Sequence, residues 1–221
     1  MWNPFKKIND MVLLPSNDLI CAHIANQSYE APITRKKNIG SFVLDEKIST
    51  ELSAIYADSQ QKICILGLRG TVVTKLKDII SDAQILLNIQ GIDPRVKESI
   101  NMYDAIKRNY QGYAIRVCGH SLGGTLSYIV AKHRNPNRCI AFNPGMSVNT
   151  FFFQTIEDNL KKSAWVKNTT TYKILGDIVS TAAFVGETKT FRVKGQNDPF
   201  KLHTIDNFVQ QEIEHYNTTK N

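Results

Sequence analysis

Apolar positions along the chain follow two periods, and the changes between them mark out its elements. Ile63-Cys-Ile-Leu-Gly-Leu68 is a continuous apolar run, which predicts a strand covered on both faces. Tyr113-Ala-Ile-Arg-Val-Cys118 and Arg138–Phe142 read as strands of the same kind. Phe42–Leu44, Leu52–Tyr56, Thr171–Leu175 and Thr190–Val193 complete the predicted strands. Helical spacing appears over Thr74–Leu87 and over Arg95–Asn109, where Val96, Ile100, Met102-Tyr103 and Ile106 share a face. It returns at Leu126, Ile129 and Val130, over Phe151–Leu160 and over Thr204–Glu214. Ser16-Asn17-Asp18 predicts a cap for a helix over Leu19–Tyr29. Gly91-Ile-Asp-Pro94 and Asn143-Pro-Gly145 read as breaks. Strand and helix alternate, which predicts an α/β fold with a mostly parallel central sheet flanked by helices on both faces.

The chain has 221 residues, 42% of them apolar and 21% charged, an ordinary globular composition long enough for one domain with a sizeable core. No stretch approaches the roughly 20 apolar residues of a membrane span. The start, Met1-Trp-Asn-Pro-Phe-Lys-Lys-Ile8, lacks the apolar core and cleavage site of a signal peptide. These features predict a cytoplasmic or membrane-peripheral protein. Cys21, Cys64, Cys118 and Cys139 show no metal-ligand spacing and read as reduced, buried thiols. The net charge of +7 fits attraction to an anionic surface. Basic residues are scattered, apart from Lys6-Lys7 and Arg35-Lys36-Lys37, and no nucleic-acid motif accompanies them, so a solvated basic surface is expected rather than a nucleic-acid site.

Residues 119–123 read Gly-His-Ser-Leu-Gly, a G-x-S-x-G motif with a predicted strand before it and helical spacing after it. That context is the nucleophile elbow of an α/β-hydrolase fold, a sharp strand-to-helix turn that presents Ser121. Flanking glycines suit a turn in which side chains would clash. A serine hydroxyl needs a base to take its proton and a carboxylate to orient that base. On this fold the chain order is Ser, then Asp or Glu, then His. His133, His203 and His215 follow Ser121. His133 falls on the elbow helix and His215 near a polar terminus, which leaves His203, just before the last predicted helix. Asp177 follows the predicted strand Thr171–Leu175, where sites on open α/β sheets lie. Its rivals are Glu187, Asp198 and Asp206, of which Asp198 before Pro199 reads as a turn residue and Asp206 as a cap or solvent-facing residue. The oxyanion hole should use the N–H of Leu122 and that of Thr71, in the loop after Ile63–Leu68.

Leu68-Arg-Gly-Thr71, Asp78-Ile-Ile-Ser-Asp82, the Gly-His-Ser-Leu-Gly-Gly elbow, Gly176-Asp177-Ile-Val-Ser180 and His203-Thr-Ile-Asp-Asn-Phe208 together resemble the class 3 lipases, the fungal-lipase-like triacylglycerol lipases and phospholipases A1. The resemblance runs in order over about residues 60–210, the expected catalytic core of a single domain spanning residues 1–221. Residues 1–40 have no counterpart in it. It implies that the Arg-Gly-Thr segment gives the first oxyanion donor, that Val72–Ile80 forms a lid, and that Asp82 supports the oxyanion loop. The family usually has Asp-Trp where this chain has Asp78-Ile79, and a His-x-Gly-Phe that is missing near Ile89–Pro94.

The function expected from the sequence is serine-dependent hydrolysis of lipid carboxylic esters, triacylglycerol lipase or phospholipase A1-like, through an acyl-enzyme and with no cofactor or metal. Met146, Phe151 and Phe152 are the candidate acyl-pocket residues, with helix packing as the competing role for the phenylalanines. The alternatives are a soluble short-chain carboxylesterase, a non-catalytic lipid-binding hydrolase scaffold and, on charge alone, a nucleic-acid-binding protein. Peripheral contact with an anionic membrane is expected from the charge and from Trp2, Phe5 and Ile8 beside Lys6-Lys7.

Overall fold

Among the described residues, nine strands hydrogen-bond side by side in chain order: β1 (Asn38–Ile39), β2 (Phe42–Leu44), β3 (Ser53–Asp58), β4 (Ile63–Leu68), β5 (Ala114–His120), β6 (Arg138–Phe142), β7 (Thr169–Ile174), β8 (Glu187–Val193) and β9 (Ile213–His215). The structure is a computed structural model and describes residues 13–71, 94–145, 150–210 and 213–215. β4 to β8 run parallel, and the pairs at either margin are antiparallel. The predicted helix over Thr74–Leu87 and the lid segment Val72–Ile80 lie outside the described residues, as do residues 2–12.

Adjacent parallel strands joined by right-handed crossovers send every crossover helix to the same face. That face carries α2 (Pro94–Asn109) and α3 (Leu122–Arg134), then α4 (Thr150–Leu160) and α5 (Ala164–Lys167) on the way from β6 to β7. Tyr103 and Ile106 of α2 and Leu122, Leu126 and Val130 of α3 pack on Cys64, Leu66 and Leu68 of β4 and on Ile115 and Val117 of β5. The alternate residues of β4, Ile63 and Ile65, point to the other face. This division explains the unbroken apolar run at 63–68, since both sets of side chains are buried.

Among the described residues no crossover helix reaches the second face, which segments near the chain ends cover. α1 (Ser16–Gln27) supplies Cys21, Ala22, Ile24 and Ala25, and the C-terminal α6 (Pro199–Leu202) and α7 (Asp206–Val209) supply Leu202 and Phe208. Residues 1–40, which had no counterpart in the sequence resemblance, thus contain the helix that closes half the core. A row of stacked rings crosses this face, Phe142 to Tyr172 at 5.5 Å and Tyr172 to Phe191 at 5.8 Å, with Phe208 of α7 5.1 Å from Phe142. Each such pair adds about 0.5–1.5 kcal/mol beyond burial, which fixes the C-terminal turn to the sheet.

Two predicted helices are corrected. α1 begins at Ser16, with Pro15 at its cap position and no side-chain cap, because the Pro15 carbonyl accepts from Asp18 and Leu19. Asp18 is drawn into the core instead, where it accepts from Arg138 Nη2 at 2.8 Å and Tyr172 Oη at 2.5 Å. The expected helix over Thr204–Glu214 is only the four-residue α7, and residues 213–215 form β9 on the open edge of β8. Edge pairing satisfies backbone groups that a longer helix would leave unmet on β8. Arg35, expected as surface charge, is buried and donates to the carbonyls of Gln27, Glu30 and Ser53, closing the end of α1. All four cysteines are free and buried. Among the described residues no helix is long and apolar enough to cross a membrane.

Asp18→Ala strands the Arg138 guanidinium and the Tyr172 hydroxyl. Arg138 is partly exposed, so the expected cost is about 2 kcal/mol rather than that of a fully buried pair. The thermal midpoint should drop by roughly 4–8 °C. A calorimetric midpoint within 1 °C of the parent, on the order of experimental scatter, would show that α1 is not anchored here.

Candidate active site

Ser121 occupies the turn between β5 and α3 with φ 58° and ψ −126°, a conformation a non-glycine residue rarely adopts. Two close backbone approaches hold it. A Cβ on Gly119 would fall 2.3 Å from the Gly123 carbonyl, and a Cβ on Gly123 would fall 2.1 Å from the Leu68 carbonyl oxygen. The second approach presses the end of β4 against the first turn of α3. It brings the Arg69-Gly70-Thr71 segment beside the helix N-terminus, whose leading N–H groups, Leu122 first, have no partner within the helix. Arg69 N–H donates to the Leu52 carbonyl at 3.0 Å, and Arg95 Nη2 donates to the Arg69 carbonyl.

Asp177 lies three residues past β7, in a turn opened by Gly176 at φ +89°. His203 ends α6 as its C-cap. These distant segments meet at the elbow. His203 Nε2 is 2.9 Å from Ser121 Oγ, and His203 Nδ1 is 2.9 Å and 3.0 Å from the two Asp177 carboxylate oxygens. A carboxylate only accepts, so Nδ1 carries the proton, and Nε2 is left to accept from the serine hydroxyl. Ser121, His203 and Asp177 are 5%, 4% and 2% exposed. Asp177 also accepts from Val179 N–H at 3.0 Å. Burial lowers the pKa of nearby Lys173, while Asp177 favours its charged form.

The rival groups lie elsewhere. Asp198 caps α6 by accepting from Phe200 N–H at 2.9 Å, Asp206 accepts from Thr204 Oγ1, and Glu187 pairs with Lys189 on β8. His133 is exposed on α3, and His215 lies in β9 opposite Phe191 rather than in a frayed tail. Of the remaining sequence candidates, Asp82 and Met146 are outside the described residues. Phe151 and Phe152 belong to α4, and Thr71 is the last described residue before the expected lid.

Three residues that sequence reasoning passed over frame this arrangement. Asn143, at φ 40° just beyond β6, donates to the Leu202 carbonyl at 3.0 Å and accepts from Ile174 N–H at 2.8 Å. It therefore ties the turn bearing Asp177 to the helix bearing His203. His120 ends β5, and its ring lies 4.8 Å from that of His203. Tyr29, just past α1, places its hydroxyl 2.9 Å from His120 Nδ1. The sequence marks Asn143 only as a strand end and His120 only as a variable position of the motif, and it gives no signal for Tyr29.

A family model for "Lipase (class 3)" matches residues 84–186, which include Ser121 and Asp177 and stop short of His203. No curated protein sequence matches the chain. Among solved structures, the Lip2 lipase from Yarrowia lipolytica is similar at 18% identity, with 80% of this chain and 78% of that one covered and a TM-score of 0.52. A triacylglycerol lipase whose catalytic centre is described as a serine protease triad is similar at 14% identity, with 85% and 84% covered and a TM-score of 0.54. At these identities the structures speak to the fold, and they share the α/β-hydrolase architecture built here around Ser121. The family match over the elbow and that shared architecture point the same way: the chain has an α/β-hydrolase fold and is similar over residues 84–186 to the class 3 lipases.

Proposed function

We propose that this protein is a lipase that hydrolyses lipid carboxylic esters through Ser121, His203 and Asp177. The observation that carries the reading is the unbroken hydrogen-bonded chain from Ser121 Oγ to the Asp177 carboxylate, buried at the end of the parallel strands. Ser121 Oγ attacks the ester carbonyl carbon as its proton passes to His203 Nε2. The Asp177 carboxylate holds the ring by Nδ1–H and stabilises the imidazolium that forms. The backbone N–H groups of Leu122 and Thr71 receive the oxyanion, in the position the close packing of Gly123 on Leu68 favours. The tetrahedral intermediate collapses, the C–O bond breaks, and His203 gives its proton to the departing alcohol. Water then attacks the acyl-enzyme by the same route in reverse and releases the carboxylic acid.

The lipid character of the substrate is supported by the rim of the site. Leu175 and Ile178 flank the Asp177 turn and Phe200 lies on α6 with His203, and these side chains are 38%, 48% and 44% exposed. Exposed apolar groups on the loops that carry the chemistry suit an apolar substrate phase. The +7 charge favours an anionic one. A fluorophosphonate should label Ser121, as found by peptide mass spectrometry, and labelling of another serine or of none would refute the nucleophile. Rates on emulsified triacylglycerol, phospholipid vesicles and p-nitrophenyl butyrate then rank the substrates, and turnover of the soluble ester alone would make this a short-chain esterase.

Phe200→Ser should lower the rate on an emulsion about threefold to tenfold while leaving p-nitrophenyl butyrate hydrolysis unchanged, since the 44% of the side chain left exposed accounts for about that share of the roughly 1.5–3 kcal/mol that burying a whole phenylalanine is worth. Binding to vesicles should rise with anionic lipid and fall with salt, which screens over about 8–10 Å. Equal losses on both substrates would remove Phe200 from the lipid contact.

A further inference from the structure

His120 is buried beside the base, and the atoms around it fix how it is protonated. Its Nε2 lies 2.5 Å from the His203 carbonyl oxygen, which can only accept, so Nε2 carries a proton. Its Nδ1 lies 2.9 Å from Tyr29 Oη. Burial, reinforced by the neighbouring His203 ring, holds the His120 pKa well below the ordinary histidine range, so the ring is neutral. A neutral ring with its proton on Nε2 has a lone pair on Nδ1, and the Tyr29 hydroxyl donates to it at 2.9 Å in preference to the His120 carbonyl oxygen at 3.2 Å. The packing leaves no slack, because a Cβ on Gly70 would fall 2.1 Å from Tyr29 Oη and 2.7 Å from the His120 carbonyl oxygen.

The charged and titratable groups around this line are few. From the β4 end and α2, Arg69 and Arg95 act on Tyr29, and from the α6 side His203, bonded to Asp177, faces the His120 ring. Tyr29 is itself fixed, since Arg35 holds the carbonyls of Gln27 and Glu30 on either side of it.

We propose that Tyr29 and His120 are positioning residues: with Gly70 packed against Tyr29 Oη, a directed line of hydrogen bonds, Tyr29 O–H to His120 Nδ1 and His120 Nε2–H to the His203 carbonyl, sets the oxyanion loop, the elbow and the base in mutual register. None of these groups touches the reacting atoms. The line and the Gly70 contact join three segments that supply different parts of the site: the loop after β4, the last residue of β5 and the end of α6. It assigns a role to α1 beyond covering the sheet, because Tyr29 is the point where that helix meets the chemistry. The proposal rests on Ser121 and His203 being the working pair.

The test uses the full chain, with active sites titrated by a fluorophosphonate so that rates refer to competent serines. Tyr29→Phe keeps the ring and removes one oxygen. Its kcat on p-nitrophenyl butyrate should fall about 10-fold with KM changed less than about twofold, as loss of register costs rate more than binding. His120→Leu should lose about 100-fold, and His120→Gln, which retains an N–H for the His203 carbonyl, should recover most of that loss. In ¹⁵N spectra of the parent, His120 should show the Nε2–H tautomer, with a tautomer mixture in Tyr29→Phe. A general packing role would lower the titratable fraction without changing kcat per site. The proposal is overturned by wild-type kcat per site in Tyr29→Phe, by His120→Gln no better than His120→Leu, or by an Nδ1–H tautomer in the parent. If His120→Leu does not fold, Tyr29→Phe and the spectra decide alone. A parent chain inactive on every ester would refute the hydrolase reading instead, and the tautomer would still judge the hydrogen-bond line.

Discussion

Ser121→Ala should lower ester hydrolysis by at least about 10⁴-fold while leaving the fold in place. The hydroxyl is the nucleophile in the proposed chemistry, and its hydrogen-bond partner is His203 Nε2, a neutral acceptor. Removing it forfeits one neutral hydrogen bond, about 1 kcal/mol, and exposes no buried charge. Alanine meets the same backbone cost as serine at φ 58°. The variant should therefore melt close to the parent and lose fluorophosphonate labelling entirely. Hydrolysis of p-nitrophenyl butyrate at more than a hundredth of the parent rate, on the order of an auxiliary group's contribution, would remove Ser121 as the nucleophile.

His203→Ala should match that loss of rate, and the double variant should be scarcely slower, since a nucleophile and its base act as one unit. Stability should separate the two single variants. Without His203 the Asp177 carboxylate, 2% exposed, keeps the Val179 N–H but loses the ring that both its oxygens contact. The expected cost is about 1–3 kcal/mol, seen as a lower thermal midpoint than that of Ser121→Ala. Asp177→Asn should be severe but milder in rate, and Asp198→Asn should retain activity because Asp198 caps α6. A dead Asp198→Asn beside a nearly normal Asp177→Asn would mean that the acid was wrongly chosen. Rates of single variants that multiply in the double would mean that Ser121 and His203 do not act together.

The sequence and the structure agree most closely where local rules decide. The run at 63–68 is apolar throughout because both faces of β4 are covered, so it could be read without knowing by what. Ser121 follows from a turn that demands glycines on either side, and Asp177 and His203 from strand ends and chain order; the three side chains do meet. Legibility fails where the decision is made at a distance. Tyr29 lies 91 residues from His120, and His120 lies 83 residues from His203, so no local pattern could pair them. Asp18 looked like a cap because caps are acidic, but burial against Arg138 and Tyr172 outweighed one backbone hydrogen bond. The last helix is misread because four apolar residues at helical spacing, Ile205, Phe208, Val209 and Ile213, are too short a sample to exclude a turn followed by an edge strand.

The anchoring of α1 bears on the order in which the molecule forms. Its partners Arg138 and Tyr172 lie 120 and 154 residues downstream of Asp18. As the chain leaves the ribosome, α1 is made before the sheet, and its anchors Arg138 and Tyr172 are not both present until β7 has been synthesised. The crossover face can assemble progressively, strand by neighbouring strand, whereas the opposite face closes in one late, long-range step. Contacts of such sequence separation slow folding, and the apolar side of the unfinished sheet stays open to other chains meanwhile. Yield on refolding should thus be governed by the rate at which α1 docks on Arg138 and Tyr172, more than by the depth of the native minimum.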